Sequence, residues 1–321
     1  MQTFKVVFKR KESPIAYFSA MDTDIPSVEK IGFNKNNAII PIPVVKGSHN
    51  RGKFRRWFAK EVIIRNLDQI KGEKDFSKRM AILTALFFSG SLTAGFKFKE
   101  ENTFKIQKQL SEKDIFGRYF GYMITGLDNK RSSLLLGHLV PVIKDYNDDV
   151  NVDVETVDSS SFEVINLKLP SGKWINITKP LTVVLSSRKA PIINDVSDVI
   201  KETDEKIIED LENLLSKQSK EEKEKKDVQN LLYFEVINSG FDLVQDIHID
   251  SNDEVEIKGI LTAYIKYYNE IDKTIGGLSA RGFGHLDKVV VDGFTPDEEA
   301  FEEFIRKIDL KIITDLILYG N

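Results

Sequence analysis

A segment that combines glycines with basic side chains, GSHNRGKF at residues 47–54, has the spacing of a phosphate-binding loop. Gly47, Gly52 and Lys53 match the pattern G-x-x-x-x-G-K, in which main-chain N–H groups surround a phosphate and the lysine reaches its oxygens. Phe54 stands where nucleotide-hydrolysing proteins have a serine or threonine that binds Mg²⁺. The segment therefore predicts phosphate binding without nucleotide hydrolysis.

The charges around this segment are uneven. From Lys46 to Arg65 there are seven lysines or arginines and one acid, Glu61, although the whole chain has a net charge of −4 and a pI near 5.8. A basic patch on an acidic protein favours a specific anion site over general attraction to nucleic acid. A solvated basic helix face is the simpler alternative, but it does not explain the glycines and short polar residues among the cations.

A second glycine cluster, TIGGLSARGFGHLDKVVV, occupies residues 274–291. It lacks the third glycine and the preceding βα turn of a dinucleotide-binding fingerprint. A tight turn before a last strand is one interpretation. Arg281 and Phe283 also offer a guanidinium and an aromatic face beside main chain that a ligand can approach closely, which favours stacking on single-stranded nucleic acid.

Other reactive residues carry weaker signals. The histidines are scattered without metal-ligand spacing, and the absence of cysteine excludes disulfides, thiolate metal sites and a cysteine nucleophile. Asp22 and Asp24 could support metal-assisted hydrolysis, although an isolated acidic pair is more often a solvated turn. No apolar run is long enough for a membrane span, so we expect a soluble cytoplasmic protein. We also expect no metal and no cofactor.

Strands and helices follow one another irregularly along the 321 residues, which predicts an α+β fold. The segment TFKVVFKRK alternates as a strand, whereas Arg51 to Leu67 has helical spacing, with Trp57 and Phe58 as core anchors. The stretch 144–161 is too polar to form a core. The Lys/Glu-rich stretch 201–227 has one apolar helical face and predicts an inserted, solvated helix.

Three motifs in this order resemble the RAMP superfamily of CRISPR proteins, specifically the backbone subunits of guide-RNA effector complexes, with type IV as the nearest subtype. The resemblance runs from about residue 4 to residue 291. Its motifs are a P-x-x-x-x-K-G-x-x-R turn and helix, an FG pair before a mid-chain strand, and a late glycine-rich loop. The matching positions are Pro41, Lys46 and Gly47, with Arg51 one residue beyond the motif's arginine; Phe116 and Gly117; and Gly276, Gly277, Gly282, Phe283 and Gly284.

This resemblance implies a single domain over residues 1–321 with a modified RRM-like (ferredoxin-like) core and large insertions shaped as palm, fingers and thumb. Residues 144–161 would form part of the thumb, and residues 201–227 have no counterpart. Copies would stack head to tail along a guide RNA, together with other CRISPR effector subunits, and present it for pairing with a target nucleic acid.

The same resemblance implies that the glycines, the helix N-terminus and the cations hold RNA phosphates without catalysis and without metal. The implied RNA-binding residues are Lys46, Ser48, His49, Asn50, Arg51, Lys53, Arg55, Gly276, Gly277, Arg281, Gly282 and Phe283.

Two enzymatic alternatives stay open within the superfamily. A target-RNA-cleaving backbone subunit would use an aspartate of the first loop, either Asp22 or Asp24. A guide-RNA-processing endonuclease would need His49 as a general base.

Overall fold

The computed structural model describes residues 1–10, 12–17, 28–35, 38–92, 100–144, 150–162, 164–168, 174–178, 181–188, 230–277, 279 and 282–319. The strands in these ranges are β1 (Gln2–Arg10), β2 (Ile15–Ala16), β3 (Glu29–Lys35), β4 (Ala38–Val44), β5 (Ser91–Leu92), β6 (Met123–Ile124), β7 (Leu134–Leu136), β8 (Val140–Pro141), β9 (Val164–Lys168), β10 (Trp174–Thr178), β11 (Leu181–Arg188), β12 (Asn230–Ile237), β13 (Leu243–Ile249) and β14 (Leu286–Val291). The α-helices are α1 (Gly47–Asn66), α2 (Phe76–Leu83), α3 (Glu100–Lys113), α4 (Ile115–Phe120), α5 (Glu254–Lys266), α6 (Glu298–Arg306) and α7 (Leu310–Tyr319). Helices α2 and α5 continue into π-helical turns, Thr84–Ser89 and Tyr267–Ile271, and the 3₁₀ turns are Leu67–Gln69 and Ser159–Ser161.

The central sheet has the order β14-β1-β13-β7, with β8 also paired to β13, and every pairing in it is antiparallel. Along the chain these strands alternate with α1 and α5 as β1-α1-β7/β8-β13-α5-β14. That is the βαββαβ topology of ferredoxin-like and RRM-like domains. The predicted α+β fold with an RRM-like core and insertions is confirmed.

The insertions fall between the core elements. The β3–β4 hairpin and the short strand β2 lie between β1 and α1, while α2, α3 and α4 lie between α1 and β7. Strand β2 joins β12 and β11 in a second antiparallel sheet. Helices α6 and α7 follow the last core strand.

Strand β1 is buried on both faces, since its successive side chains point to opposite sides of the sheet. Val6 and Phe8 belong to the main core on the helical side, together with aromatic rings from α1, α4 and α5. Val7 belongs to a smaller apolar cluster on the outer face. As predicted, Phe58 is fully buried and Trp57 packs against the same core.

The outer face of the sheet is covered by a segment that we predicted to be too polar for a core. Val150, Val152 and Val154 pack on the outer-face cluster that contains Val7 and Val244. The segment VNVDV alternates valine with polar residues, and this period of two lets one side of an extended chain be apolar. The prediction that no part of 144–161 joins a core is therefore wrong for residues 150–154.

Two hydrogen bonds attach the end of this covering segment to Asp242, the residue that precedes β13. The Glu155 N–H donates to the Asp242 carboxylate at 3.0 Å, and the Asp242 N–H donates to the Glu155 carbonyl at 2.8 Å. The assignment of 144–161 to a thumb and of 1–321 to one domain stay predictions. The predicted helix at 201–227 lies outside the described residues.

Helix α1 begins at Gly47, one turn earlier than the predicted start at Arg51. A Cβ atom at Gly47 would lie 2.1 Å from the Leu136 carbonyl oxygen and 2.2 Å from that of Gly137. Only glycine allows the helix to start this close to the strand, because both neighbours are main-chain atoms. Gly52, by contrast, has no atom closer than 3.9 Å to such a Cβ, the nearest being a guanidinium nitrogen of Arg56.

We expect Gly47→Ala to lower the free energy of unfolding by about 3 kcal/mol, since main-chain atoms must move to accept the methyl group. Gly52→Ala is the matched control and should raise it by about 0.5–1 kcal/mol, because alanine favours a helix interior. Urea unfolding of both variants checks this prediction. Equal stability of the two variants would contradict the close helix–strand contact.

Candidate nucleic-acid interface

The N-terminus of α1 is built to attract an anion. This 20-residue helix has no acidic residue in its first turn and no side-chain cap at Lys46. Its aligned peptide dipoles place a partial positive charge at this end. The Gly47 N–H donates to Nδ1 of His138 at 3.3 Å, and the His49 N–H donates to the Lys46 carbonyl at 3.1 Å.

The late glycine-rich segment lies beside this helix end. Gly277 donates to the Ala16 carbonyl at 2.6 Å, and Gly284 donates to the Pro14 carbonyl at 2.8 Å. Gly276 has a φ of 76°, and a Cβ there would lie 2.6 Å from the Ala16 carbonyl oxygen. The segment is thereby fixed against the chain that follows β1.

Two contacts join the glycine-rich segment to α1. The main chain of Gly276 lies close enough to the His49 imidazole to oppose the lowering of its pKa, and the Lys53 Nζ lies 3.0 Å from the carboxylate of Asp272, two residues before the segment. Two motifs that are more than 200 residues apart in the chain therefore lie side by side. Gly282 is exposed and Phe283 half-buried at its edge, while Arg281 lies outside the described residues.

The outward face of α1 carries a basic stripe, which we define as Lys53, Arg56 and Lys60. Arg56 and Lys60 are exposed, and the Lys53 side chain is one-fifth exposed. The spacing i, i+3, i+7 places the three on one side of a helix. Sequence inspection missed Arg56 and Lys60, which helical periodicity counted from the buried rings of the helix would have found.

Two of the predicted RNA contacts point into the protein instead. The Arg55 guanidinium donates to the carbonyls of Phe87 at 2.7 Å and Phe120 at 3.2 Å, and also to that of Leu86. Burial and the nearby Arg51 lower the pKa of Arg55 to about 10, against an opposing effect of Asp114. Arg55 therefore holds α1 to the segments at 84–89 and 115–120.

Asn50 and Arg51 also lie towards the interior. Asn50 has no exposed surface, so we remove it with Arg55 from the candidate phosphate contacts. Arg51 is half-buried and donates to the Phe120 carbonyl, and burial lowers its pKa. The physical reason is helix phase. Asn50, Phe54 and Phe58 are spaced four residues apart and share the face of α1 that packs on the core.

The remaining predicted contacts lie at the helix end. Ser48 is exposed, and Lys46 pairs with Glu29, its Nζ 2.6 Å from Oε2. His49 is half-buried with its ring edge-on to Tyr17, at 5.5 Å between centroids. Burial and the charge of Lys53 lower the pKa of His49, so it is neutral at pH 7, and its Nε2 is shielded from solvent.

Phe54 explains why the phosphate-loop pattern lacks its hydroxyl. Its side chain is fully buried, with its ring 5.0 Å from that of Tyr264 in an edge-to-face contact. Residues 47–53 form the first two turns of a helix rather than a loop around a triphosphate. The position is therefore a core position of α1.

The outer sheet face differs from that of an ordinary RNA-binding RRM domain. Such domains stack bases on aromatic side chains of their two central strands. In this protein Val7 and Val244 occupy the outer face of the central strands and lie under Val150, Val152 and Val154. The candidate interface therefore lies at the N-terminus of α1 instead of on the sheet.

The fold and this surface define an α+β protein with a βαββαβ core and a basic helix end beside a glycine-rich segment. A chain of a solved structure titled "Type IV-B CRISPR Complex" is similar to it at 15% sequence identity, covering 92% of this chain and 92% of that chain with a TM-score of 0.49. No protein-family model matches the chain, and no curated protein matches it.

Two further properties hold for the described residues alone. None of their helices is both long and apolar enough to cross a membrane. Among the same residues, no three histidine, aspartate or glutamate side chains group as metal ligands. Asp22 and Asp24 lie outside the described ranges, so their catalytic role stays a prediction.

The same substitution at the adjacent residues Arg55 and Arg56 should change stability by very different amounts. We expect Arg55→Gln to lower the free energy of unfolding by about 3 kcal/mol, because it leaves buried carbonyls without a donor. Arg56→Gln should change it by less than about 0.5 kcal/mol, as at other exposed positions. Thermal or urea unfolding checks this, and an equally stable Arg55→Gln protein would contradict the structural role.

Proposed function

We propose that this protein is the guide-RNA-binding backbone subunit of a CRISPR effector complex. The observation that carries the proposal is the convergence of the α1 N-terminus, the basic stripe and the glycine-rich segment on one surface. The sequence motifs that resemble backbone subunits supply two of these three parts. The proposed ligand is the phosphodiester backbone of single-stranded RNA.

The proposed contacts follow from charge and geometry. Lys53 to Lys60 spans seven residues, or about 10 Å along the helix axis, which is enough to face several phosphates of one strand. The positive end of the α1 dipole adds an attraction to phosphate that depends on no base, and the close-packed glycines let a strand approach the main chain. The proposed interface consists of Lys46, Ser48, His49, Lys53, Arg56, Lys60, Gly277, Gly282 and Phe283, with Arg51 and the buried Gly276 at its inner border.

The proposed assembly is a head-to-tail stack of copies along the RNA, joined by other effector subunits. A subunit that contacts its successor through two different surfaces does not close into a dimer and grows as a filament. The RNA held in this way would be presented for pairing with a target nucleic acid. We assign no catalytic step, because the imidazole of His49 is packed against Tyr17 and Gly276.

Removal of the stripe charges should weaken RNA binding without regard to base sequence. We expect Lys53→Gln, Arg56→Gln and Lys60→Gln together to lower the slope of log affinity against log salt by about 2, since each lost phosphate contact removes about 0.7 on a single strand. Fluorescence anisotropy with two labelled RNAs of unrelated sequence, over a range of salt concentrations, measures this effect.

The matched control is Lys5→Gln, Lys9→Gln and Lys288→Gln, which removes the same charge from β1 and β14 away from α1. This control should bind RNA as the unmodified protein does. If the stripe variant binds normally, or loses affinity for only one of the two RNAs, the proposed phosphate interface is wrong.

RNA length should control the size of the assembly. We expect the molar mass of the protein–RNA particle to rise in steps with RNAs of three increasing lengths, because each added copy covers a further stretch of strand. Size-exclusion chromatography with light scattering measures the mass. A closed dimer whose mass is independent of RNA would contradict head-to-tail stacking.

A further inference from the structure

Both lysines nearest to the α1 N-terminus already carry a carboxylate partner. The Lys53 Nζ lies 3.0 Å from Oδ2 of Asp272, and the Lys46 Nζ lies 2.6 Å from Oε2 of Glu29. The partners come from different elements, since Asp272 follows the π-helical end of α5 and Glu29 begins β3. The positive charge of each lysine is therefore opposed within the protein itself.

Asp272 is held in place independently of Lys53. The Tyr267 hydroxyl donates to its Oδ2 at 2.9 Å, and the Thr274 hydroxyl donates to its Oδ1 at 2.5 Å. Burial raises the pKa of Asp272, but the hydrogen bonds from Thr274 and Lys53 and the charge of Lys53 lower it overall. Because the hydrogen bonds from Tyr267 and Thr274 do not involve Lys53, they keep the carboxylate in position when Lys53 turns towards another anion.

A lone phosphate group should bind weakly at these lysines. It must share each ammonium with a carboxylate that is already in contact, and it is repelled by that carboxylate's charge. A strand of RNA meets a different balance, because its linked phosphates arrive at high effective concentration and also reach Arg56, Lys60 and the helix end.

We propose that Asp272 and Glu29 are specificity-determining residues, which make this surface select a continuous polyanionic strand over isolated phosphate anions and free nucleotides. This inference rests on the proposed function and names the basis of discrimination at the same surface. It assigns the discrimination to built-in competing charges, a device that weakens binding of the wrong ligand more than that of the right one.

The test compares Asp272→Asn, Glu29→Gln and the double variant with the unmodified protein. Asparagine and glutamine keep the shape of the side chain and remove its charge. The control is Asp246→Asn, because Asp246 pairs with Lys5 at 3.4 Å on the central sheet. This substitution changes the net charge by the same amount as each single variant does. Glu29→Gln keeps the test available if Asp272→Asn reduces the yield of folded protein.

Each protein is titrated with inorganic tripolyphosphate and with labelled RNA. We expect the double variant to bind tripolyphosphate about tenfold more tightly than the unmodified protein, through relief of repulsion at short range. Its RNA affinity should rise by a smaller factor and its salt dependence should become steeper, because more net positive charge faces the strand. Asp246→Asn should match the unmodified protein with both ligands.

The two ligands separate failure of this inference from failure of the proposed function. If the unmodified protein binds tripolyphosphate as tightly as the double variant does, or if the double variant binds RNA more weakly, the carboxylates do not select the strand. If none of the proteins binds RNA, the proposed function is wrong, and the selection of an RNA strand falls with it.

Discussion

The contact between the first turn of α1 and the chain around β7 determines where everything else on this surface lies. Val45 and Leu139 exchange two main-chain hydrogen bonds of 3.1 and 2.9 Å just before the helix begins. Gly47 then lies against the Leu136 and Gly137 carbonyls, at a distance that no side chain allows. The positive end of a 20-residue dipole is thereby fixed relative to the sheet, beside the glycine-rich segment.

The two neighbouring arginines of α1 show how one residue type serves two purposes. Arg55 uses its planar fork of donors to bind carbonyls from two other segments, which holds the helix in its phase. Arg56 lies 100° further round the helix and faces solvent. The basic composition of residues 46–65 therefore reflects internal stabilisation as well as an exposed charge.

Local patterns in the sequence predicted β1, α1 and the α+β class, because periodicity records which side chains are buried. They missed the start of α1 at Gly47, since glycine is a weak helix former and only the contact with β7 explains it there. The choice of Arg55 over Arg56 as a phosphate contact is a separate error, because the helix phase set by the buried Phe54 and Phe58 places Arg56 in solvent. The valine cover at 150–154 was missed because the polar residues between the valines, Asn151 and Asp153, lowered the average hydrophobicity.

Partners from distant parts of the chain were beyond any local pattern. Asp272 reaches Lys53 only after the β14-β1-β13-β7 sheet has formed, and Glu29 reaches Lys46 only after the β3–β4 hairpin pairs Glu29 with Val44. The net positive charge of residues 46–65 is therefore smaller in the structure than the sequence alone indicates. On the proposed function, a surface on which Lys46 and Lys53 are each opposed by a carboxylate would bind one phosphate weakly, and linked phosphates would add their small contributions along a strand. Repetition of the same surface from copy to copy would then make RNA the element that couples the copies. In the proposed assembly, strand length, rather than the affinity of any single contact, would set the stability of the complex.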